Sequence, residues 1–74
     1  MKIEVRLFAT LRHGRLAKQP IEIAFDSRLA DVLAPLGIGR HEVSIRLLNG
    51  REAPWESPLG EGDTVSLFPP VGGG

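Results

Sequence analysis

Only one stretch of this 74-residue chain repeats its apolar side chains at helical spacing: Leu29, Val32, Leu33 and Leu36. The readable apolar runs elsewhere alternate with period two, so a single helix must cover a sheet. That restricts the architecture to an α+β domain with one helical crossover. Length agrees, because 74 residues build one small core. Multi-step catalysis across a domain cleft is excluded.

From Lys2 to Ala9 the alternation places Ile3, Val5, Leu7 and Ala9 on one face of a strand, and Lys2, Glu4, Arg6 and Phe8 on the other. Thr10 to Lys18 has no sustained period and reads as a connection. Pro20 permits a strand start, and Ile21, Ile23 and Phe25 alternate with Glu22 and Ala24, giving a second strand that pairs with the first as a hairpin. Asp26 and Ser27 each offer an oxygen to the free amides of a helix beginning near Arg28. Pro35 lacks an amide donor and biases Ala34 away from helical dihedrals, so the helix is expected to end near Ala34, with Gly37 turning the chain. Val43, Ile45 and Leu47 alternate with Ser44, Arg46 and Leu48 in a third strand, closed by an Asn49-Gly50 turn. Pro54 and Pro58 leave Arg51 to Leu59 room for only a short or irregular strand. Gly60-Glu61-Gly62-Asp63 then turns into a last strand, Thr64 to Phe68, with Val65 and Leu67 facing inward.

A right-handed crossover sets the helix over a mixed sheet in which the first and last strands run side by side and parallel. The expected fold is the β-grasp, or ubiquitin-like, layout: four to five strands covered by one main helix. A ferredoxin-like split βαβ fold needs a second helix, and no other segment has the period. Residues 1–68 are read as the domain and residues 69–74 as an extended flexible tail.

Nine basic and nine acidic side chains cancel, so no Lys/Arg excess points to nucleic acid or to an anionic membrane surface. Hydrophobic residues make up 42% and charged ones 24%, the balance of a folded domain rather than a disordered one. There is no cysteine, which removes disulfides, thiolate metal sites and cysteine nucleophiles together. The charged start, Met-Lys-Ile-Glu-Val-Arg, has no signal-peptide hydrophobic region, and no apolar run approaches the ~18 residues of a membrane span. A cytoplasmic location is expected.

The chemistry, if any, lies in Phe68-Pro69-Pro70-Val71-Gly72-Gly73-Gly74. Two prolines end the strand and favour an extended segment, and glycines follow. At ~3.3 Å per residue, six residues beyond Phe68 reach roughly 20 Å from the domain, far enough to thread into a partner's active site. Glycine passes through a channel too narrow for a β-carbon, and its carboxylate carbon is unhindered. A free carboxylate is a poor acyl donor and needs activation, for example as a mixed anhydride with AMP. The chain has no phosphate-cradling loop, so the activating enzyme is a separate partner. On composition alone, a frayed terminus or a cloning remnant explains the glycines equally well.

The element order, together with Leu47-Leu48-Asn49-Gly50-Arg51, Pro58-Leu59-Gly60-Glu61-Gly62-Asp63-Thr64-Val65 and Leu67-Phe68-Pro69-Pro70-Val71-Gly72-Gly73-Gly74, resembles the MoaD/ThiS family of ubiquitin-like sulfur carriers. The resemblance spans nearly the whole chain and is most specific in its last third. The Phe-Pro-Pro-Val segment is similar to the molybdopterin synthase small subunit more than to the thiamine-pathway carriers. The resemblance implies that Gly74 carries the working carboxylate, with Gly73 completing the terminal Gly-Gly. An E1-like enzyme would adenylate Gly74, and a sulfur donor protein would convert the acyl-adenylate to a thiocarboxylate. The carrier would then dock on the large catalytic subunit, inserting Pro69 to Gly73 and giving up sulfur for the dithiolene of molybdopterin or tungstopterin. So the chain is expected to be a carrier subunit rather than an enzyme. It binds no resident cofactor on this reading, and AMP and sulfur ride transiently on Gly74. Alternatives are a protein modifier joined through Gly74 to lysines, a carrier for thiamine or another sulfur pathway, and an interaction module bound through Pro69-Pro70.

Phe8, Leu48 and Phe68 each break the polar side of an alternating strand. On neighbouring strands they would sit together on the face away from the helix, either as a partner docking surface or under a loop or the Trp55 segment. His13 and His41 lie in loops far apart in sequence without acidic residues at metal-ligand spacing, so no metal site is expected. Trp55 is expected to cap the sheet edge, Asp63 to bond its own turn, and Arg6 and Arg46 to lie on solvent faces.

Overall fold

The alternating segments do form a sheet. The computed structural model describes residues 1–71. Its strands are β1 (Lys2–Leu7), β2 (Lys18–Glu22), β3 (Ile45–Leu48), β4 (Arg51–Glu52) and β5 (Thr64–Phe68), in the order β2-β1-β5-β3-β4. β1 and β5 pair in parallel at the centre, and the other pairings are antiparallel. One helical stretch crosses the sheet, a 3-10 turn at Leu29–Val32 continuing into α1 (Leu33–Leu36). This is the β-grasp fold expected from the element order.

The core lies between that stretch and one face of the sheet. Val5 sits beside Val65 and Leu7 beside Leu67 in the parallel register, and all four are fully buried. Leu29, Val32 and Leu33 close over them, with Leu36 packed half-buried at the margin. Leu11, from a 3-10 turn at Ala9–Arg12, plugs the end of this layer at 2% exposure. The aperiodic loop after β1 gave no sign of that role.

Local geometry differs from expectation at four places. β1 ends at Leu7, and Ala9 is exposed with φ of 53° rather than inward-facing. β2 ends at Glu22, and Phe25 is 80% exposed beyond it. Pro20 falls inside β2, which is tolerable because β2 is an edge strand. The helix is not capped by Asp26 or Ser27. Instead, carbonyls of the segment after β4 take its first amides, with Leu29 N donating to Ser57 O (2.8 Å) and Ala30 N to Trp55 O (3.0 Å), while Asp31 Oδ2 accepts from Arg28 N at 2.7 Å. Finally, the helix runs to Leu36 rather than stopping at Ala34. Pro35 lies in the first turn of α1, where a missing amide forfeits no helical bond. Gly37, at φ of 68°, ends the helix: its N–H donates to Ala34 O, and Ile38 N donates to Leu33 O.

The turns match expectation. Asn49 (φ 52°) and Gly50 (φ 85°) make a tight left-handed pair between β3 and β4. Asp63 Oδ2 accepts from Gly60 N at 2.7 Å, bonding its own turn as expected. No helix among the described residues is long and apolar enough to cross a membrane.

Candidate functional site

The last strand is held on both sides up to its final residue. Phe8 N donates to Leu67 O (3.2 Å), and Ser44 N donates to Phe68 O (2.8 Å). Pro69 and Pro70 follow with no amide to continue either ladder, so the backbone leaves the sheet at this point. Val71 is 87% exposed. The path is fixed at Phe68 and released immediately after it.

Phe8 and Phe68 stack face to face at this exit, with centroids 4.3 Å apart and planes 9° apart. Their juxtaposition follows from parity, because both point opposite to the core-facing Leu7 and Leu67. Arg12 Cζ lies 5.6 Å from the Phe8 ring centroid while its Nε donates to Leu7 O at 2.9 Å, which orients that aromatic from the loop side. Ile45, paired with Phe68 across β3 and β5, is 39% exposed. Ile45, Phe68, Ala9 and the Pro69–Val71 segment line an apolar groove of about 470 Å³. Such a surface can bury a partner's apolar side chains while the chain beyond Phe68 runs onward.

Leu48 is not part of this cluster. It pairs with Val65, a core residue, and packs on the core side of the sheet, so its expected place beside Phe8 and Phe68 is corrected. The open-face neighbour is Ile45, one strand phase away. The same phase change carries Arg46 to the core side, opposite Leu67, where it is half-buried and not on a solvent face. Trp55 accommodates it: the Arg46 Cζ lies 4.7 Å from the indole centroid, and the half-buried ring packs against the core at the sheet edge as expected. Arg6 is exposed on the open face, its Nε donating to Glu4 Oε2 at 2.6 Å.

His13 and His41, distant in sequence, line one cleft of about 440 Å³ with Arg15, Glu42, Pro69 and Pro70. Arg15 is committed to the backbone there, donating to Leu36 O and Gly37 O at 3.0 Å each. Among the described residues no group of three His, Asp or Glu side chains is placed to hold a metal ion. Gly72, Gly73 and Gly74, singled out by the sequence, lie outside the described residues.

A β-grasp domain whose C-terminal segment departs beside an apolar groove at one end of the sheet has the ground plan of a ubiquitin-like sulfur carrier or modifier. The comparisons agree. The model of the ThiS family matches residues 5–74, and the chain belongs to that family. A search of curated proteins returns no significant match. Among solved structures, SAMP1 from Haloferax volcanii superposes with a TM-score of 0.81 at 27% identity, covering 100% of both chains. The Haloferax volcanii HVO 2177 protein gives a TM-score of 0.80 at 32% identity, over 100% of this chain and 87% of that one. A complex of subunits 1 and 2 of the molybdopterin-converting factor from Helicobacter pylori contains a chain 31% identical, with a TM-score of 0.68 and 100% of both chains covered. Members of this family are small carrier subunits that act with separate enzymes.

Proposed function

We propose that this chain is the small, sulfur-carrying subunit of a molybdopterin or tungstopterin synthase, working through the carboxylate of Gly74. The observation that carries the reading is the exit at Phe68, where a strand pinned on both sides gives way to exposed chain beside an apolar groove. Residues 69–74 serve as the reactive arm and residues 1–68 as its handle. The Helicobacter pylori relative is solved together with subunit 2 of its converting factor, which supports a large catalytic subunit as partner here.

The chemistry begins on a separate E1-like enzyme that supplies ATP. A Gly74 carboxylate oxygen attacks the α-phosphorus, pyrophosphate leaves, and the acyl-adenylate forms. A persulfide sulfur from the donor protein then displaces AMP at the acyl carbon. Cleavage of the resulting acyl disulfide by a reducing thiol leaves a thiocarboxylate. The absence of cysteine is compatible with this route, since the sulfur rides on the terminal carbonyl carbon. Docked on the catalytic subunit, the arm gives up that sulfur to the dithiolene precursor, and water takes its place on the acyl carbon to restore the Gly74 carboxylate.

Likeness to SAMP1 favours a second reading, in which the same activated glycine forms an isopeptide bond with a lysine of a target protein. Intact-mass measurement after co-expression with an activating enzyme separates the two. A carrier shows one oxygen exchanged for sulfur, whereas a modifier shows a ladder of conjugates. An unchanged mass overturns both. Restored dithiolene formation, measured with the catalytic subunit, distinguishes the molybdopterin route from thiamine or another sulfur pathway.

A further inference from the structure

Arg46 Nε is buried and has no hydrogen-bond partner among the described residues. A buried donor left unpaired is costly, more so when it belongs to a charged group. Arg40 adds a second charge: its Cζ lies 5.4 Å from the same Trp55 ring that Arg46 approaches to 4.7 Å. The two guanidinium carbons are therefore no more than about 10 Å apart, within the screening length of dilute salt. The ion pairs among the described residues, Arg6–Glu4 and Lys18–Glu4, include neither of them.

Beside Arg46, with Glu52, Ala53 and Pro54 completing the wall, opens a cleft of about 170 Å³. That is too small for a drug-sized apolar ligand and well beyond the ~10–15 Å³ that one water needs. The edge of a guanidinium that carries Nε–H also carries one terminal N–H, and this pair matches the two oxygens of a carboxylate. Glu52 in the wall disfavours a doubly charged phosphate more than a singly charged carboxylate. Position in the fold points to the source. Arg46 follows Ile45, the partner of Phe68, so the cleft lies at the end of the sheet from which the tail departs.

We propose that the cleft beside Arg46 receives a carboxylate, supplied by an Asp or Glu side chain of the activating enzyme that takes the tail. The carboxylate chemistry stands on the cleft alone; only its source rests on the carrier reading.

The test follows the Arg46 Nε–H resonance of the full chain by ¹⁵N NMR during titration with acetate, at constant ionic strength against chloride. The expected result is a saturable shift of that resonance and of the Trp55 indole N–H, with no equivalent response to chloride. No shift, or an equal shift with chloride, overturns the site. A larger saturable response to inorganic phosphate overturns the carboxylate assignment. In a second arm, Arg46→Lys keeps the charge and removes the fork, and is expected to weaken binding to the activating enzyme by about tenfold or more. Unchanged affinity in a folded variant overturns the proposed source. Should the unsubstituted chain not bind that enzyme at all, the carrier reading fails, while the acetate titration still decides the cleft. The titration also decides it if Arg46→Lys does not fold.

Discussion

Phe8 and Phe68 stack at 4.3 Å where the parallel pair β1–β5 ends, so the last ordered side chain of the sheet is braced by the first residue beyond β1. One pairing thus ties the shared C-terminal end of the domain's central ladder to the start of the arm. It also makes the open-face aromatic surface continuous with the chain that leaves it.

Phe8→Ala and Phe68→Ala are expected to weaken binding to the catalytic subunit or the activating enzyme more than they weaken folding. Aromatic anchors at interfaces typically cost ~2 kcal/mol or more when truncated, and a stacked pair adds ~0.5–1.5 kcal/mol beyond area burial. Leu48→Ala should do the reverse, lowering stability by about 2 kcal/mol with little change in affinity, because its side chain packs on the core. Calorimetric titration beside thermal unfolding checks all three. Equal losses of affinity from Leu48→Ala and Phe68→Ala would refute the division of faces.

The division was only half legible in the sequence. β1 and β5 read correctly because charged or polar residues mark every second position. β3 did not, since Leu47 and Leu48 are both apolar and either phase fits. Val43 is buried but precedes the strand, and reading its phase forward puts Ile45 inside and Arg46 outside. The structure inverts this, at the expense of bringing Arg46 inward, and Trp55 stacking makes that tolerable. No strand-local rule could have supplied Trp55, which arrives from a loop beyond β4. Likewise Leu11, Ile38 and Leu59 are buried single residues in aperiodic loops, positions that periodicity cannot assign. The exit at Phe68 was legible because two prolines announce it.

Leu33→Ala should destabilise the domain by ~2–5 kcal/mol, and Val65→Ala by less, since both fill the layer between helix and sheet at 6% and 0% exposure. For a domain whose total stability is of order 5–15 kcal/mol, these are large fractions. Denaturant midpoints measure them. A change within ~0.5 kcal/mol, the range of surface substitutions, would show the layer to be packed differently.

Gly37→Ala places a β-carbon at φ of 68° with no atom near enough to obstruct it, so its cost is conformational alone. A loss of about 1 kcal/mol is expected. The same substitution at Gly60, where φ is not positive, should be close to neutral. Thermal unfolding of the two variants side by side isolates the backbone effect.

Removing Gly73 and Gly74 is expected to leave folding unchanged and to abolish function. The first half follows from the described structure: the core closes with Val65 and Leu67, and the strand's last backbone bonds end at Phe68. Four residues lie between Phe68 and Gly73, so the deletion removes none of those bonds or core side chains. The second half follows from the proposed chemistry, because the deletion moves the terminal carboxylate to Gly72 and shortens the arm by roughly 7 Å at ~3.3 Å per residue. A carboxylate presented that far short cannot reach an α-phosphorus positioned for the full-length arm, since misplacement by even ~1 Å is costly to a reaction that depends on orientation. Unfolding curves, adenylate formation and dithiolene production measured on the truncated chain separate the two halves. Retained adenylation would place the reactive group elsewhere and sink the sulfur-carrier and modifier readings together. Lost stability would instead show that the glycines pack on the domain, leaving the chemistry to be tested with Gly74 alone removed.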